Sequence, residues 1–556
     1  MNRSYAIRTC IAILAAVLTI ISGHSYRSYA VDWDGGGIDT VYRMDVKAQR
    51  IYGDAAETTL DVDDDRKWNV LYNETLDLKL NHKTDGGLSV TGGVSFRHTD
   101  DKILMTRNKH FDIPSGNLKV SGERWFLDLG KISATFTNHI FQNSFLGIKG
   151  EYSNPAGSKL MLLGGVNRDS TVDRYVRAFG GVRLYVIADP RLKLGASYVH
   201  TEITKLYYDS DETAYRNDVF SVDGTLSFHN ERLVLDGEMA MSFYLDDMRN
   251  PRSETVRDTA LWANFYFEPL RNELGIMLRG EYVEPGFVST MGTSVIMRKM
   301  AAVAFGYQPS DRWLCMSYYR LYRTGPADAP SDSYSVYHTD FGLVIQCEIP
   351  HFIDPDSDFT AMLDIYYHDE SDTNDPKSVN KETLTLILTA GYDLEHTDYE
   401  VIYTYEQILN HLSDGIDSET HDVNCSWSYK NTAFGLDYKI GCGMNMEYKT
   451  RLWPNSTNTV NDFELGASFG GEVVFRRLYP REMTLEIECS GTVWDYGEKA
   501  NVRDGEMVLR LTKVLVKRRD LTASIALEYT ANHTWTSDGS GRYGEKIGMM
   551  SFNMEF

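Results

Sequence analysis

The densest oxygen-ligand chemistry in the chain lies in two acidic runs, Asp61-Val62-Asp63-Asp64-Asp65 and Asp354-Pro355-Asp356-Ser357-Asp358. Carboxylates at alternate positions suit an oxygen-preferring cation such as Ca2+. Neither run continues into the glycine and distal glutamate of an EF-hand loop, so both read as solvated turn or loop carboxylates. The 14 histidines are scattered, and none forms a dyad pattern with a neighbouring Ser or Asp. Zinc-protease, nucleophile-elbow and phosphate-loop motifs are missing. No catalytic residue, cofactor or metal ligand is therefore assigned, and the chain reads as a non-enzyme. Cys315, Cys347, Cys425, Cys442 and Cys489 are odd in number and show no CxxC spacing, so they signal neither a disulfide framework, a zinc site nor haem attachment. Cys425 and Cys442 fall on consecutive predicted strands. A disulfide there is the minor alternative to two small wall-filling residues.

With so little chemistry assigned, the elements that carry the side chains become the main signal. Apolar and polar residues alternate with period 2, as in strands with one apolar face. In Leu521 to Asn532, Leu521, Ala523, Ile525, Leu527, Tyr529 and Ala531 alternate with Thr522, Ser524, Ala526, Glu528, Thr530 and Asn532. Leu233 to Leu245 and Glu382 to Tyr392 repeat the pattern. From about residue 187 onward, tight polar turns alternate with longer loops rich in Asp, Ser, Asn, Gly and Pro. Turns are expected at Ala188 to Arg191, Asn230-Glu231, Lys430-Asn431 and Lys517 to Asp520, among others, and an intermediate one at Pro350 to Asp356. Neighbouring turns lie about forty residues apart, a period that also fits a propeller blade. A blade needs four short strands per repeat, whereas each repeat here holds two long ones.

Residues 1–30 are set apart. Arg3 and Arg8 precede an apolar run from Cys10 to Ile21, and Ser28-Tyr29-Ala30 offers a small-residue cleavage pattern, as in a secretory signal peptide cut near Ala30. Residues 31–556 read as one domain, with 31–140 the least regular part. Residues 31–556 have no apolar run of the length a membrane helix needs. The full chain carries a formal charge of −23, which argues against a nucleic-acid partner.

Long strands joined alternately by short turns and long loops predict a large up-and-down antiparallel transmembrane β-barrel. Lipid offers no hydrogen bonds, so the sheet must close on itself. The chain's end fits: Gly548, Met550, Phe552, Met554 and Phe556 alternate with polar residues, apart from Met549. This ending resembles the closing strand of bacterial outer-membrane β-barrel proteins. The resemblance implies an integral outer-membrane location, contact with outer-membrane lipids and recognition by the barrel-assembly machinery. It also implies short turns in the periplasm and long loops outside. Abundant Tyr, 35 in all, fits interfacial girdles, with candidates Tyr207, Tyr208, Tyr244, Tyr318, Tyr319, Tyr366, Tyr367, Tyr403 and Tyr405.

Nine hairpins between residues 174 and 532, the strand at 542–556 and a hairpin across 145–167 leave an odd number of strands to be found before residue 140. Candidates there are Ile38 to Ile51, Trp68 to Asn81, Leu88 to His98 and Asn117 to Gly130. The expectation is about 24 strands, within 22 to 26. The alternation breaks between Thr135 and Asn143, which reads first as an external loop and second as an inward-folded constriction. A barrel so wide is not filled by side chains, and no globular plug is recognisable. The leading functional reading is a porin-like channel for passive diffusion or export, with Asp236, Glu238, Arg510 and Glu528 lining its lumen. The rival is a scaffold or sheath holding a periplasmic or lipoprotein partner in a secretion or electron-transfer complex.

Overall fold

The computed structural model describes residues 36–555 except 54–68, 85–86, 100–110, 138, 169–174, 206–214, 247, 249–251, 293–297, 326–335, 351–356, 373–378, 413–416, 434–435, 453–458, 476–482, 497–501, 519–520 and 537–541. The expected signal peptide, the run Asp61 to Asp65, Tyr207, Tyr208 and Phe556 therefore lie outside the described residues, as do Asp354, Pro355 and Asp356.

The described chain is all β: 26 strands form one sheet, each hydrogen-bonded antiparallel to its sequence neighbours. The sheet closes where β1 (Gly36–Gly53) pairs with β26 (Arg542–Glu555), from Val41 opposite Glu555 to Gly53 opposite Tyr543. Closure removes both sheet edges, which is what lipid demands. Gly548, Met550, Phe552 and Met554 share one face of β26, and Met44 and Ile525 flank Phe552 on the neighbouring strands.

The alternation sets which face meets lipid. Leu146, Leu162, Val222, Leu261 and Leu527 are all exposed, and each neighbours a residue of the opposite face. Exposure of so many large apolar side chains is tolerable only in an apolar solvent, so these positions form the outer surface.

Five strands precede residue 140. β1, β2 (Asn69–Lys83) and β3 (Ser89–Thr99) match the candidate segments closely. Asn117 to Gly130, expected to be one strand, contains the hairpin between β4 (Phe111–Ser121) and β5 (Trp125–Thr135). Leu118 pairs with Leu129 and Val120 with Leu127, so the apolar positions change from even to odd across residues 122–124. A one-residue phase change in a strand pattern is what a chain doubling back produces. The extra strand brings the total to the top of the expected range.

Most tight turns fall where expected. Between β10 (Arg216–Phe228) and β11 (Leu233–Leu245), His229, Asn230 and Glu231 take φ of 51°, 58° and 69°, a left-handed run that folds the chain back within four residues. The expected turn at Lys430-Asn431 is displaced. Both residues lie within β20 (Asp417–Ala433), which pairs with β21 (Leu436–Leu452) as far as Ala433 opposite Leu436. All five cysteines beyond the expected cleavage point are free thiols.

Candidate functional site

The inner wall is polar in most places, but not between β6 (Gln142–Ser153) and β13 (Leu274–Val283). There Phe145, Leu163, Phe179, Val199, Val219, Ala240, Ala260 and Val283 occupy the face opposite the exposed apolar residues, and all are buried. They form one cluster with Phe136, Ile140, Phe141, Phe287 and Met291, which belong to two connections on the long-loop side. Residues 136–141 join β5 to β6, and residues 284–292 open the connection from β13 to β14 (Arg298–Ser310). Both segments fold back onto the wall. The external loop expected at Thr135 to Asn143 is thus corrected to the inward fold. Ile140 and Phe141 have no exposed surface, because apolar side chains gain more from the wall than from water.

Hydrogen bonds fix the two segments to each other and to the wall. The amide of Gln142 donates to the carbonyl of Met291 at 2.8 Å, and Ser289 Oγ donates to that of Ile140 at 3.3 Å. Arg177 Nη1 donates to the carbonyl of Thr290 (3.1 Å), and Asn217 Nδ2 to that of Val288 (2.9 Å). Glu284 Oε2 accepts from both the amide and the hydroxyl of Thr259, at 2.6 and 2.7 Å. Gly292 is required by proximity: a Cβ there would lie 2.6 Å from the carbonyl oxygen of His139.

A charged rim borders this apolar patch. Glu238 accepts from the Thr137 hydroxyl through Oε1 and from Trp262 Nε1 at 2.9 Å through Oε2. It lies on the polar face of β11, where it fastens a loop as well as facing the interior. His139 packs edge-on against Phe287 (ring centroids 6.2 Å apart), and among the described residues neither of its ring nitrogens finds a hydrogen-bond partner. Burial lowers its pKa below the usual imidazole value, outweighing the opposing fields of Glu238 and Glu281; Arg279 and Arg298 act in the same sense as burial. Arg183 forks onto both oxygens of Asp223 at 2.8 Å, and Gly195 opposite leaves the space, since a Cβ there would meet Asp223 Oδ1 at 2.4 Å.

Further round, β15 (Trp313–Thr324), β16 (Val336–Pro350) and β17 (Asp358–Asp372) carry a second polar cluster. Asp340, fully buried, accepts from Arg320 and meets His368 Nδ1. Tyr318 and Tyr366 belong to this inner face, flanking Gly342, so they leave the expected girdle; a Cβ on Gly342 would collide with the Tyr318 ring. Tyr319 and Tyr337 point outward and are exposed.

On the remaining wall Arg510 and Glu528 sit apart from the loops. Arg510 of β24 (Val502–Arg518) lies between two carboxylates, donating to Glu528 at 2.8 Å and Glu486 at 3.0 Å. Asp236 belongs instead to β11, with Glu238, and accepts from Asn264 Nδ2 at 3.2 Å. On the wall that carries Arg510, acidic residues also cluster, with Glu447 opposite Glu464 and Glu472 opposite Glu486. Of the four residues proposed to line the lumen, the structure brings Arg510 and Glu528 together and leaves Asp236 and Glu238 on another strand.

A closed β-barrel with apolar side chains outward and charged ones inward has the construction of an outer-membrane β-barrel. No protein-family model matches the chain, and no curated protein matches it in sequence. Among solved structures it is similar to Pseudomonas aeruginosa OpdL, at 12% identity and a TM-score of 0.35 over 68% of this chain and 100% of that one. It is similar to Pseudomonas aeruginosa OccK11 (OpdR), at 11% identity and 0.33 over 67% and 96%. It is also similar to Salmonella typhi OmpF, solved with daunomycin, at 12% identity and 0.30 over 52% and 90%.

Proposed function

We propose that the barrel is an outer-membrane channel for passive diffusion or export of polar solutes, narrowed from one side by residues 136–141 and 284–292. The observation that carries this reading is the pair of segments folded onto an apolar inner wall, facing a wall that is polar and acidic. An acidic path attracts cations, so the channel favours them. In planar bilayers the purified protein should give discrete conductance steps with a cation-leaning reversal potential. A folded but electrically silent barrel would overturn the channel reading. The long loops face outward and the short turns face the periplasm, with β26 as the segment read by the assembly machinery. Deleting Phe556 should then lower the amount of barrel recovered from outer membranes.

A second reading rests on size. A circular barrel of 26 strands, spaced at about 4.8 Å and tilted at about 40°, is about 50 Å across at the backbone. Even with one side narrowed, that leaves room for a partner protein, and the acidic wall would suit a basic one. Co-purification from native membranes at fixed stoichiometry would favour this sheath over the open channel.

A further inference from the structure

Inside the second polar cluster, three side chains converge without using their full bonding capacity on protein. In the β16–β17 ladder His338 stands directly opposite Glu370, and His368 lies two residues before Glu370 on the same face. His338 Nδ1 is 3.9 Å from Glu370 Oε2, and His368 Nε2 is 3.6 Å from that same oxygen. One donor atom from each of the three residues lies within 4.8 Å of the others. The imidazoles are near-parallel, at 27°, with centroids 5.6 Å apart.

What distinguishes this group from an ordinary polar wall is the second layer. His368 turns its Nδ1 to Asp340, and His338 turns its Nε2 to Thr324 Oγ1 at 3.0 Å. With those nitrogens occupied by partners behind them, the opposite nitrogens are left aimed at Glu370. His338 Nδ1 is buried and hydrogen-bonded to nothing among the described residues. A carboxylate behind a histidine fixes its tautomer and raises its basicity, the arrangement that supports histidine ligands to metals. Tyr322 stacks flat on His338, at 4.3 Å and 8°, and holds the ring in place.

We propose that His338, His368 and Glu370 bind one divalent transition-metal ion of the Zn2+, Ni2+ or Cu2+ type on the inner wall. Two imidazoles and one carboxylate, with no thiolate, match the ligand preference of these ions over Ca2+ or Mg2+. Ligand atoms about 2.0–2.2 Å from a tetrahedral zinc stand about 3.4 Å apart, so closure needs a movement of about half an ångström or less on the two measured edges. Water completes the coordination, since all three side chains keep some exposure. Charge also permits it. Arg320 stands nearby, but Asp340 neutralises it, and Glu370 supplies a negative charge to the ion. Arg298 is directed at the Tyr322 ring. Lys381 stands opposite Glu370 across the next ladder, a cation that lowers the affinity of the site without removing it. The inference is independent of whether the lumen conducts.

The test uses the full-length barrel, purified in detergent, stripped with chelator and titrated with Zn2+ alone by calorimetry. One ion per chain is expected. His368→Gln or His338→Gln should weaken binding at least about tenfold, and Thr324→Val, which removes an outer-layer partner, about tenfold as well. Binding that is absent from the wild type, or unchanged in His338→Gln/His368→Gln, would overturn the site. If that double variant fails to fold, Cu2+ on the wild type decides. An electron paramagnetic resonance spectrum with coupling to two imidazole nitrogens supports the assignment, and coupling to none or one refutes it.

Discussion

The wall from β5 to β14 and the wall from β18 (Asn380–Asp393) to β26 look alike from outside and differ inside. Both present apolar residues at every second position, such as Leu162 and Leu261 on one and Leu388 and Leu527 on the other. On the inner face the first carries a buried apolar patch beneath two loop segments, whereas the second carries Glu447, Glu464, Glu486 and Glu528. Lipid imposes one requirement on the whole circumference, so the outer face is uniform. The inner face answers to water or to chain, and apolar residues are sustained there only where chain covers them. On the channel reading proposed above, the first wall sets the width of the path, and the second is the surface a solute meets.

The sharpest way to break this contrast is to uncover the apolar wall. Phe141 contacts the rings of Phe136, Phe145 and Phe179, at centroid distances of 5.8, 5.6 and 5.1 Å. Phe141→Ala should cost about 3–5 kcal/mol of local packing, enough to release residues 136–141 into the lumen. The expected result is a larger and noisier single-channel conductance with the barrel still heat-modifiable on gels. Unchanged conductance would mean that the segments do not border the path. Glu238→Gln is the milder version. It weakens the bonds from Thr137 and Trp262, each worth about 1.5–3 kcal/mol when made to a charge, and should raise conductance less than Phe141→Ala does.

These residues also show where sequence reasoning reached and where it stopped. From β8 (Tyr175–Asp189) onward, the strands were legible because the period of two is imposed by lipid on every strand. The inner face has no such uniform rule. Phe145, Leu163, Phe179 and Val199 interrupt its polarity, and that interruption was the available sign of a covered wall. Phe136, Ile140 and Phe141 were the matching sign in the loop, since an external loop would leave them in water. The segment at 284–292 offered the same sign more weakly, in Phe287 and Met291, while its polar contacts run mostly through backbone groups. His338 and Glu370 lie opposite each other only once the register across residues 351–356 is known, and neighbouring positions in sequence do not reveal it.

The loop–wall contact should also respond to pH. His139 is buried, and its pKa is depressed chiefly by desolvation, so the packed state favours the neutral ring. A released His139 takes up a proton near its ordinary value, while the packed one resists until lower pH. The packing is therefore at full strength above about pH 6.5 and is progressively lost as pH falls below it. Conductance should rise between pH 7.5 and 5.5. His139→Phe, which keeps a ring against Phe287 but cannot titrate, should flatten that rise. A slope that survives the substitution would place the titrating group elsewhere.

The smallest effect belongs to the open wall. Arg510 is the cation that separates Glu486 from Glu528, and its side chain is 46% exposed. Ion pairs that wet contribute no more than about 1 kcal/mol, so Arg510→Ala should leave folding and thermal stability nearly unchanged. Its consequence is electrostatic: two carboxylates lose their counter-ion, and the local potential becomes more negative. Selectivity should then move further toward cations in dilute salt, and the shift should shrink as salt screens the wall. The same substitution should leave conductance noise as it was, because no loop rests on this side. If Arg510→Ala instead widened the channel as Phe141→Ala is expected to, the two walls would be mechanically coupled. The separation of width from selectivity would then fail.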